Sequence, residues 1–375
     1  MQYRGTYIQV DLRAIAHNAE TLRRAIAPAR HMLAVVKANA YGHGLVPVAK
    51  TALAHGADYL GVAIPEEGEA LRQAGVQAPV LVLGAVNERG AEASVCFGLT
   101  QTVFDEERVR LLEEAAARQG KIAEAHLKCD TGMGRIGVRN EEELRRVLAA
   151  LEKSPHVRLT GAFTHFADAD GEDAAYTLSQ IAAFERMRRL LPKGLLIHAA
   201  ASAAAVRYPQ ARYDMVREGI SLYGCPPAPG TPPVEPALSW HTEIAYVKTI
   251  PAGACVSYGC AFRAGRETRV ATLPVGYGDG YHRALSGRAQ VLVGGRRCPV
   301  VGKVCMDQIM VDVTDAPERA AYTGAPVVLL GRQENEEITA GEMATWANTI
   351  SYEMLLAATA RVPIAYITAS DEEKA

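Results

Sequence analysis

Short apolar runs alternate with amphipathic stretches through roughly the first 220 residues of the chain. Met32-Leu33-Ala34-Val35-Val36 is too short for a helix and ends in β-branched residues, so it predicts a buried parallel strand. Ahead of it, Leu12, Ile15, Ala16, Ala19, Leu22 and Ile26 recur at helical spacing, with Asp11 placed to cap the start and Pro28 at the end. The same logic predicts strands at 59–63, 79–83, 99–103, 124–128, 159–163, 195–198 and 214–216. Helical patterns lie between them, clearest over 106–119, 141–152 and 174–191. Eight strands in about 190 residues, each separated by a helix-length segment, predict a (β/α)8 barrel of the TIM type.

Cys225-Pro226-Pro227-Ala228-Pro229-Gly230-Thr231-Pro232-Pro233 then breaks the alternation as a proline-rich linker. Beyond it strands come close together, at 243–249, 269–274, 289–293, 299–304, 309–313 and 327–330. Gly294-Gly295 predicts a two-residue hairpin, and Thr339-Ala340-Gly341-Glu342 a capping box. The expected division is a barrel over 1–233 and a mainly β C-terminal domain over 234–375, the first few residues being free to pair with the second domain. That makes the fold class α/β.

Composition narrows the function. The chain is 49% hydrophobic and 22% charged with a formal net charge of −2, which points away from nucleic acid and anionic membranes. No apolar run is long enough to span a bilayer, and Met1-Gln2-Tyr3-Arg4-Gly5-Thr6 has no apolar signal region. Seven cysteines without a C-x-x-C pair fit a reduced, cytoplasmic protein. No zinc motif is present, and Asp168-Ala169-Asp170-Gly171 lacks the glutamate that a calcium loop needs, so no metal site is expected. Gly132-x-Gly134-x-x-Gly137 follows a strand and matches the dinucleotide fingerprint, but it falls at the fifth strand of a barrel with Arg135 inside it, so a nucleotide site is not expected there.

Candidate chemistry gathers where the predicted barrel strands end, which is where barrel active sites sit. Lys37 ends the first strand, Lys128 and Arg135 follow the fifth, His165 the sixth, Ser202 the seventh and Arg217 the eighth. A lysine at a strand end either snorkels to solvent or, desolvated, acts as a lowered-pKa amine that forms a Schiff base with an aldehyde. Loops after the last two strands commonly bind phosphate; here they offer Ser202 and Gly219-Ile220. Barrel geometry thus nominates a phosphorylated ligand near Lys37.

Val36-Lys37-Ala38-Asn39-Ala40-Tyr41-Gly42-His43-Gly44 closely resembles the pyridoxal-phosphate signature of alanine racemases. So do Thr131-Gly132-Met133-Gly134-Arg135-Ile136-Gly137, Phe163-Thr164-His165-Phe166 and Arg217-Glu218-Gly219-Ile220-Ser221-Leu222-Tyr223-Gly224. The resemblance implies that Lys37 carries pyridoxal 5′-phosphate, with Tyr41, Ser202, Gly219 and Ile220 at the phosphate. It implies that Arg217 faces the pyridine nitrogen with His165 supporting it. Arg135 would lie near the cofactor oxygen and the substrate carboxylate. Lys128 matches a position that in the family is often an N-carboxylated lysine. Ala200-Ala201-Ser202 departs from the family's usual Ala-Asn-Ser and puts one supporting contact in doubt. In the second domain Val256-Ser257-Tyr258-Gly259 matches the block carrying the second catalytic base. Taken alone, Tyr258 reads as a tyrosine packing at a domain interface. Gly302-Lys303-Val304-Cys305-Met306-Asp307-Gln308 implies that the Met306 backbone meets the substrate carboxylate. Asn348-Thr349-Ile350-Ser351-Tyr352-Glu353 places Tyr352 by the phosphate and the entrance. The family's sites are shared across a homodimer.

Racemisation removes a proton from one face of Cα and returns one to the other, so it calls for two bases, Lys37 and Tyr258. Arginine only donates, so a pyridine nitrogen facing Arg217 stays unprotonated and reprotonation at Cα is favoured over transamination. The expected activity is interconversion of L- and D-alanine, supplying D-alanine for a bacterial cell wall. Serine or broad-specificity racemases are the nearest alternatives. A barrel-type decarboxylase would carry an acidic residue in place of Arg217, and a non-catalytic pyridoxal-phosphate carrier would need no β domain.

Overall fold

The computed structural model describes residues 4–368. It forms two compact units: one is built from Ile15–Ala40 and Gly44–Glu235, and the described residues of the other run to Ala14, through Tyr41–His43 and on from Pro236.

The first unit is a closed barrel of eight parallel strands. In chain order these are His31–Val35, Tyr59–Val62, Val80–Val82, Thr100–Val103, Ala123–Lys128, Val157–Phe163, Leu196–Ala201 and Met215–Glu218. The last pairs with the first from His31↔Met215 to Ala34↔Glu218, which closes the ring. The strands are short and mostly apolar because helices cover one face and packed side chains fill the other; Met32, Leu33 and Ala34 are fully buried. Between the strands the helices stop where local chemistry tells them to. Glu106–Gln119 starts at Asp105, whose carboxylate accepts from the Arg108 N–H, and ends at Gly120 in the left-handed conformation (φ 62°). Glu141–Glu152 starts likewise at Asn140. The 174–191 pattern resolves as a helix over Ala175–Arg188.

The barrel ladder shifts register twice, between Ala125 and His126 and between His198 and Ala201. At the first shift Gly161 lies beside the His126 ring, and a Cβ at that glycine would stand 2.5 Å from His126 Nε2. The absent side chain is what lets an imidazole occupy the barrel interior.

The second unit is a ten-stranded, mainly antiparallel sheet. Its order runs Tyr246–Ile250, Thr268–Leu273, Ile309–Asp312, Arg296–Val301, Gln290–Val293, Pro326–Gln333, Leu238–Glu243, Tyr7–Asp11, Ile364–Ile367, with Glu336–Ile338 paired to Pro326–Gln333. Tyr7–Asp11 pairs antiparallel to Leu238–Glu243 and parallel to Ile364–Ile367. The expected strand over 243–249 is two strands. The chain leaves one ladder at Ile244, whose N–H donates to the Ala325 carbonyl, and joins another at Ala245, whose N–H donates to the Thr272 carbonyl. Gly294 and Gly295, at φ 55° and 70°, make the hairpin between Gln290–Val293 and Arg296–Val301. Thr339 Oγ1 accepts from the Glu342 N–H at the start of the Ala340–Ala347 helix. No described helix is long and apolar enough to cross a membrane.

Candidate active site

Lys37 follows the first barrel strand. Loss of water lowers its pKa, and the positive charges of Arg135 and Arg217 lower it further against the opposing pull of Glu67. The residues after it are unusual. Ala38, Asn39, Ala40 and Tyr41 all have positive φ, between 51° and 53°, so the chain makes a turn of left-handed helix out of residues with side chains. Such a conformation costs about 1–2 kcal/mol per residue. Hydrogen bonds hold it: Ala40 N–H to the Val36 carbonyl, Gly44 N–H to the Asn39 carbonyl, and Leu45 N–H to Asn39 Oδ1. Glu67 braces its start, accepting from the Ala38 N–H with one oxygen and from the Ala63 N–H with the other.

Arg217, buried in the eighth strand, is the hub of the barrel's open end. Its Nη1 donates to His198 Nδ1 (3.0 Å), and its Nη2 to His165 Nδ1 (3.2 Å) and the carbonyls of Thr164 and Ala199. Its Nε–H has no partner among the described residues, leaving a donor for a ligand's acceptor. A permanent donor fixes the tautomers beyond it. His198 must accept at Nδ1, so its Nε2–H donates to His126 Nδ1 at 2.9 Å. Burial and then Arg217 push His126 down to about 3 and His165 to about 2, and hold His198 well below its usual range. All three imidazoles are therefore neutral. Burial, and then Arg135, lowers Arg217 to about 9, which leaves it charged at neutral pH.

Lys128 ends the fifth strand, buried, with its ammonium 4.5 Å from the centre of the Phe163 ring. Burial and Arg217 hold its pKa well below normal. The glycine-rich loop after it wraps its own carboxylate. Asp130 accepts from the N–H groups of Gly132, Gly134 and Arg135, each at 3.0 Å. Burial pushes Asp130 up, but those N–H groups outweigh it and its pKa falls. Donors spent on Asp130 are not available to a pyrophosphate, so the fingerprint has a structural role and Arg135 is carried exposed on its rim. The Asp168–Gly171 turn is similarly committed: the carbonyls of Ala169 and Gly171 accept from Arg207.

Ser202 opens the short helix Ser202–Arg207. Its Oγ accepts from the Gly219 N–H at 2.9 Å and donates to Glu218 Oε2 at 2.8 Å. Gly219 and Ile220 lead into a 3-10 turn over Ile220–Tyr223. Two loops thus meet around one hydroxyl.

In the other unit, the rings of Tyr41 and Tyr352 lie 5.9 Å apart. Burial raises the Tyr41 phenol's pKa. Tyr258 is 69% exposed and Met306 53% exposed. Their loops are tied together: Ser257 Oγ donates to the Lys303 carbonyl at 2.7 Å and lies 3.8 Å from Cys305 Sγ. The Met306 carbonyl accepts from the Gly278 N–H (2.8 Å), while the Met306 N–H makes no backbone bond among the described residues.

The structure therefore gathers Lys37, Lys128, Arg135, His165 and Arg217 by mutual charge effects, and Ser202 with Gly219 by a hydrogen bond, in the barrel unit. Tyr41 and Tyr352 meet in the β unit, which also carries Tyr258 and Met306. Sequence reasoning did not single out Glu67, Asp130, His126, His198 or Glu218. His126 and His198 sit inside predicted strands, where an ionisable residue is a signal; Glu67 gave none.

Two family models cover the chain: the alanine racemase N-terminal domain over residues 10–227 and the alanine racemase C-terminal domain over residues 237–366. An alanine racemase of Symbiobacterium thermophilum is 50% identical over 372 residues, 97% of each chain. One from Geobacillus stearothermophilus is 43% identical, over 96% of this chain and 93% of its own. Among solved structures, alanine racemase from Bacillus anthracis with bound L-Ala-P superposes with a TM-score of 0.92 at 38% identity, covering 98% of this chain and 96% of that one. Alanine racemase from Bartonella henselae with covalently bound pyridoxal phosphate gives a TM-score of 0.88 at 27% identity, covering 97% and 99%.

Proposed function

The chain belongs to the alanine racemase family, and from that premise we propose that it interconverts L- and D-alanine with Lys37 and Tyr258 as its two bases. Pyridoxal 5′-phosphate, when bound, would withdraw electrons from the substrate Cα–H bond. The residues present fit that group. Lys37 is the desolvated amine that would hold it covalently, kept competent by its lowered pKa. Ser202, Gly219 and Ile220 in the barrel, with Tyr41 and Tyr352, are the groups we assign to its phosphate. Arg217 is assigned to its ring nitrogen, supported by His165.

The observation that carries the reading is the Arg217 cluster. Arg217 is charged, and the imidazoles behind it are neutral and hydrogen-bonded in fixed tautomers. None of these groups offers a proton to a ring nitrogen, which favours return of a proton to Cα over transamination. Lys37 would move that proton on one face of Cα and Tyr258 on the other. Arg135 and the free N–H of Met306 are the assigned donors to the substrate carboxylate. Lys128, uncharged when its amine is deprotonated by burial, is competent for N-carboxylation beside Arg135. In this proposal the cofactor domain is the 1–233 barrel, whose first residues pair with the β domain, and residues 234–375 supply Tyr258 and Met306. Tyr258 and Met306, both exposed, would act in the partner barrel of a homodimer. All seven cysteines are free, which supports a reducing, cytoplasmic setting; membership of the family supports a role in supplying D-alanine for the cell wall.

The test is racemisation assayed against a panel of L- and D-amino acids, with borohydride reduction and peptide mapping of the same preparation. Alanine should be the preferred substrate and the pyridoxyl group should be found on Lys37. Fixation on another lysine, or no alanine racemisation by protein that holds the cofactor, overturns the assignment.

A further inference from the structure

Glu218 is 1% exposed, in the last barrel strand, and stands directly on the serine assigned to the phosphate. A hydroxyl has one hydrogen to give and two lone pairs to fill. Ser202 gives its hydrogen to Glu218 Oε2 and takes the Gly219 N–H on one lone pair. A hydroxyl spent this way has no hydrogen for a phosphate, and an ionised carboxylate behind it adds like charge. One change repairs both faults. A protonated Glu218 donates to the second lone pair of Ser202 Oγ, whose own hydrogen then turns to the phosphate. Gly219 keeps its bond, and the Ser202 hydroxyl then uses its hydrogen and both lone pairs.

We propose that Glu218 is the proton-linked positioning residue of the phosphate subsite, a carboxylic acid while the cofactor's phosphate is held and a carboxylate when it leaves. The inference rests on the assignment of Ser202 to the phosphate. The surroundings support it. Burial raises Glu218 to about 7, against the lowering effects of the Ser202 bond and the charge of Arg212. Arg212 donates to the carbonyls of Ala205 and Ala27, and Arg207 to those of Ala169 and Gly171, so neither is bonded to Glu218. Arg217, next in the chain, is bonded to histidines and carbonyls. The strand neighbour on the other side is Ala34. Ala201 brings no polar side chain to the turn. A phosphate one hydrogen bond away adds negative charge and pushes the acid further toward its protonated form.

The test uses the purified full-length enzyme with its cofactor. Exchange of bound cofactor for isotopically labelled pyridoxal 5′-phosphate is followed from pH 6 to 9 in wild type and in Glu218→Gln, whose amide donates to Ser202 as the acid would. One linked proton accelerates exchange by up to about tenfold per pH unit above neutrality. Wild type should show that rise and Glu218→Gln should lack it, with slower exchange at pH 9. Infrared spectra of wild type labelled with ¹³C-glutamate check the same point without a variant: a protonated glutamate should persist at pH 8 while cofactor is bound. Equal pH profiles in the two proteins, or no protonated glutamate at pH 8, overturn the inference and leave the cofactor reading standing. A preparation that binds no cofactor at Lys37 overturns both.

Discussion

At the scale of single residues, the barrel's open end is a study in one permanent cation imposing neutrality on its neighbours. Arg217 cannot accept a proton, so His198 and His165 must accept from it, and His126 accepts from His198. Replacing Arg217 with Glu should lower alanine racemisation by about 10²-fold and cause pyridoxamine phosphate to accumulate with L-alanine, because a carboxylate would hold a proton at the ring nitrogen. A variant that keeps its cofactor and forms none would show that Arg217 does not face the ring. The same neutrality sets the acid limit of the fold. His126, His165 and His198 have depressed folded pKa values, so between about pH 6.5 and 4.5 the unfolded chain holds up to three protons that the native state refuses. Glu218, raised to about 7, holds one proton that the unfolded chain releases in that window, so it opposes them. Three against one leaves two extra protons on the unfolded chain. Stability should therefore fall by up to about 3 kcal/mol per pH unit as pH drops through that window. Urea unfolding at pH 7, 6 and 5 measures the slope, and a flat profile would mean that the histidines are charged in the fold.

At the scale of elements, the turn after Lys37 is the segment where local preference and observed structure disagree most. Alanine favours the right-handed helix, yet Ala38 and Ala40 are left-handed here. Four such residues in a row persist only because Glu67 and the Asn39 side chain hold the turn at both ends. Ala38 is exposed, so Ala38→Gly should relieve strain and raise stability by about 1 kcal/mol. Ala38→Val adds a β-branched clash and should lower stability by more than that gain. Thermal unfolding of the pair tests the turn, and the opposite ranking would remove the left-handed conformation from consideration. Helix starts are simpler: Asp105, Asn140 and Thr339 each accept an N–H three residues on, because a cap is a contact within four residues.

At the scale of the whole molecule, Lys37 and Tyr258 belong to different compact units, and Tyr258 is exposed in its own. The proposed twofold dimer predicts complementation. Lys37→Ala and Tyr258→Phe homodimers should each be nearly inactive. Dissociated, mixed equally and reassociated, about half of the dimers should be mixed, and each of these carries one intact site. Activity should return to about a quarter of wild type. If each chain supplied both bases to its own site, every site would carry a lesion and no activity would return. Mass-tagging one variant confirms that chains exchanged.

By itself the sequence determined the eight barrel strands, the hairpin at Gly294-Gly295 and the positions of Lys37, Arg217 and Ser202 at strand ends. These are local: a period of two or of 3.6 residues, a cap or a turn is written within a few neighbouring positions. Tertiary structure alone decided the rest. It realised the pairing of the first residues with the second domain that the sequence only allowed, seating Tyr7–Asp11 beside Leu238–Glu243, and it split the stretch around Ile244 between two ladders. It turned Lys37's loop left-handed over Glu67 and set Glu218 against Ser202. Each of those is a hydrogen bond between residues whose spacing in the chain carries no periodic signal, and burial, which gives such bonds their strength, exists only once the barrel has closed.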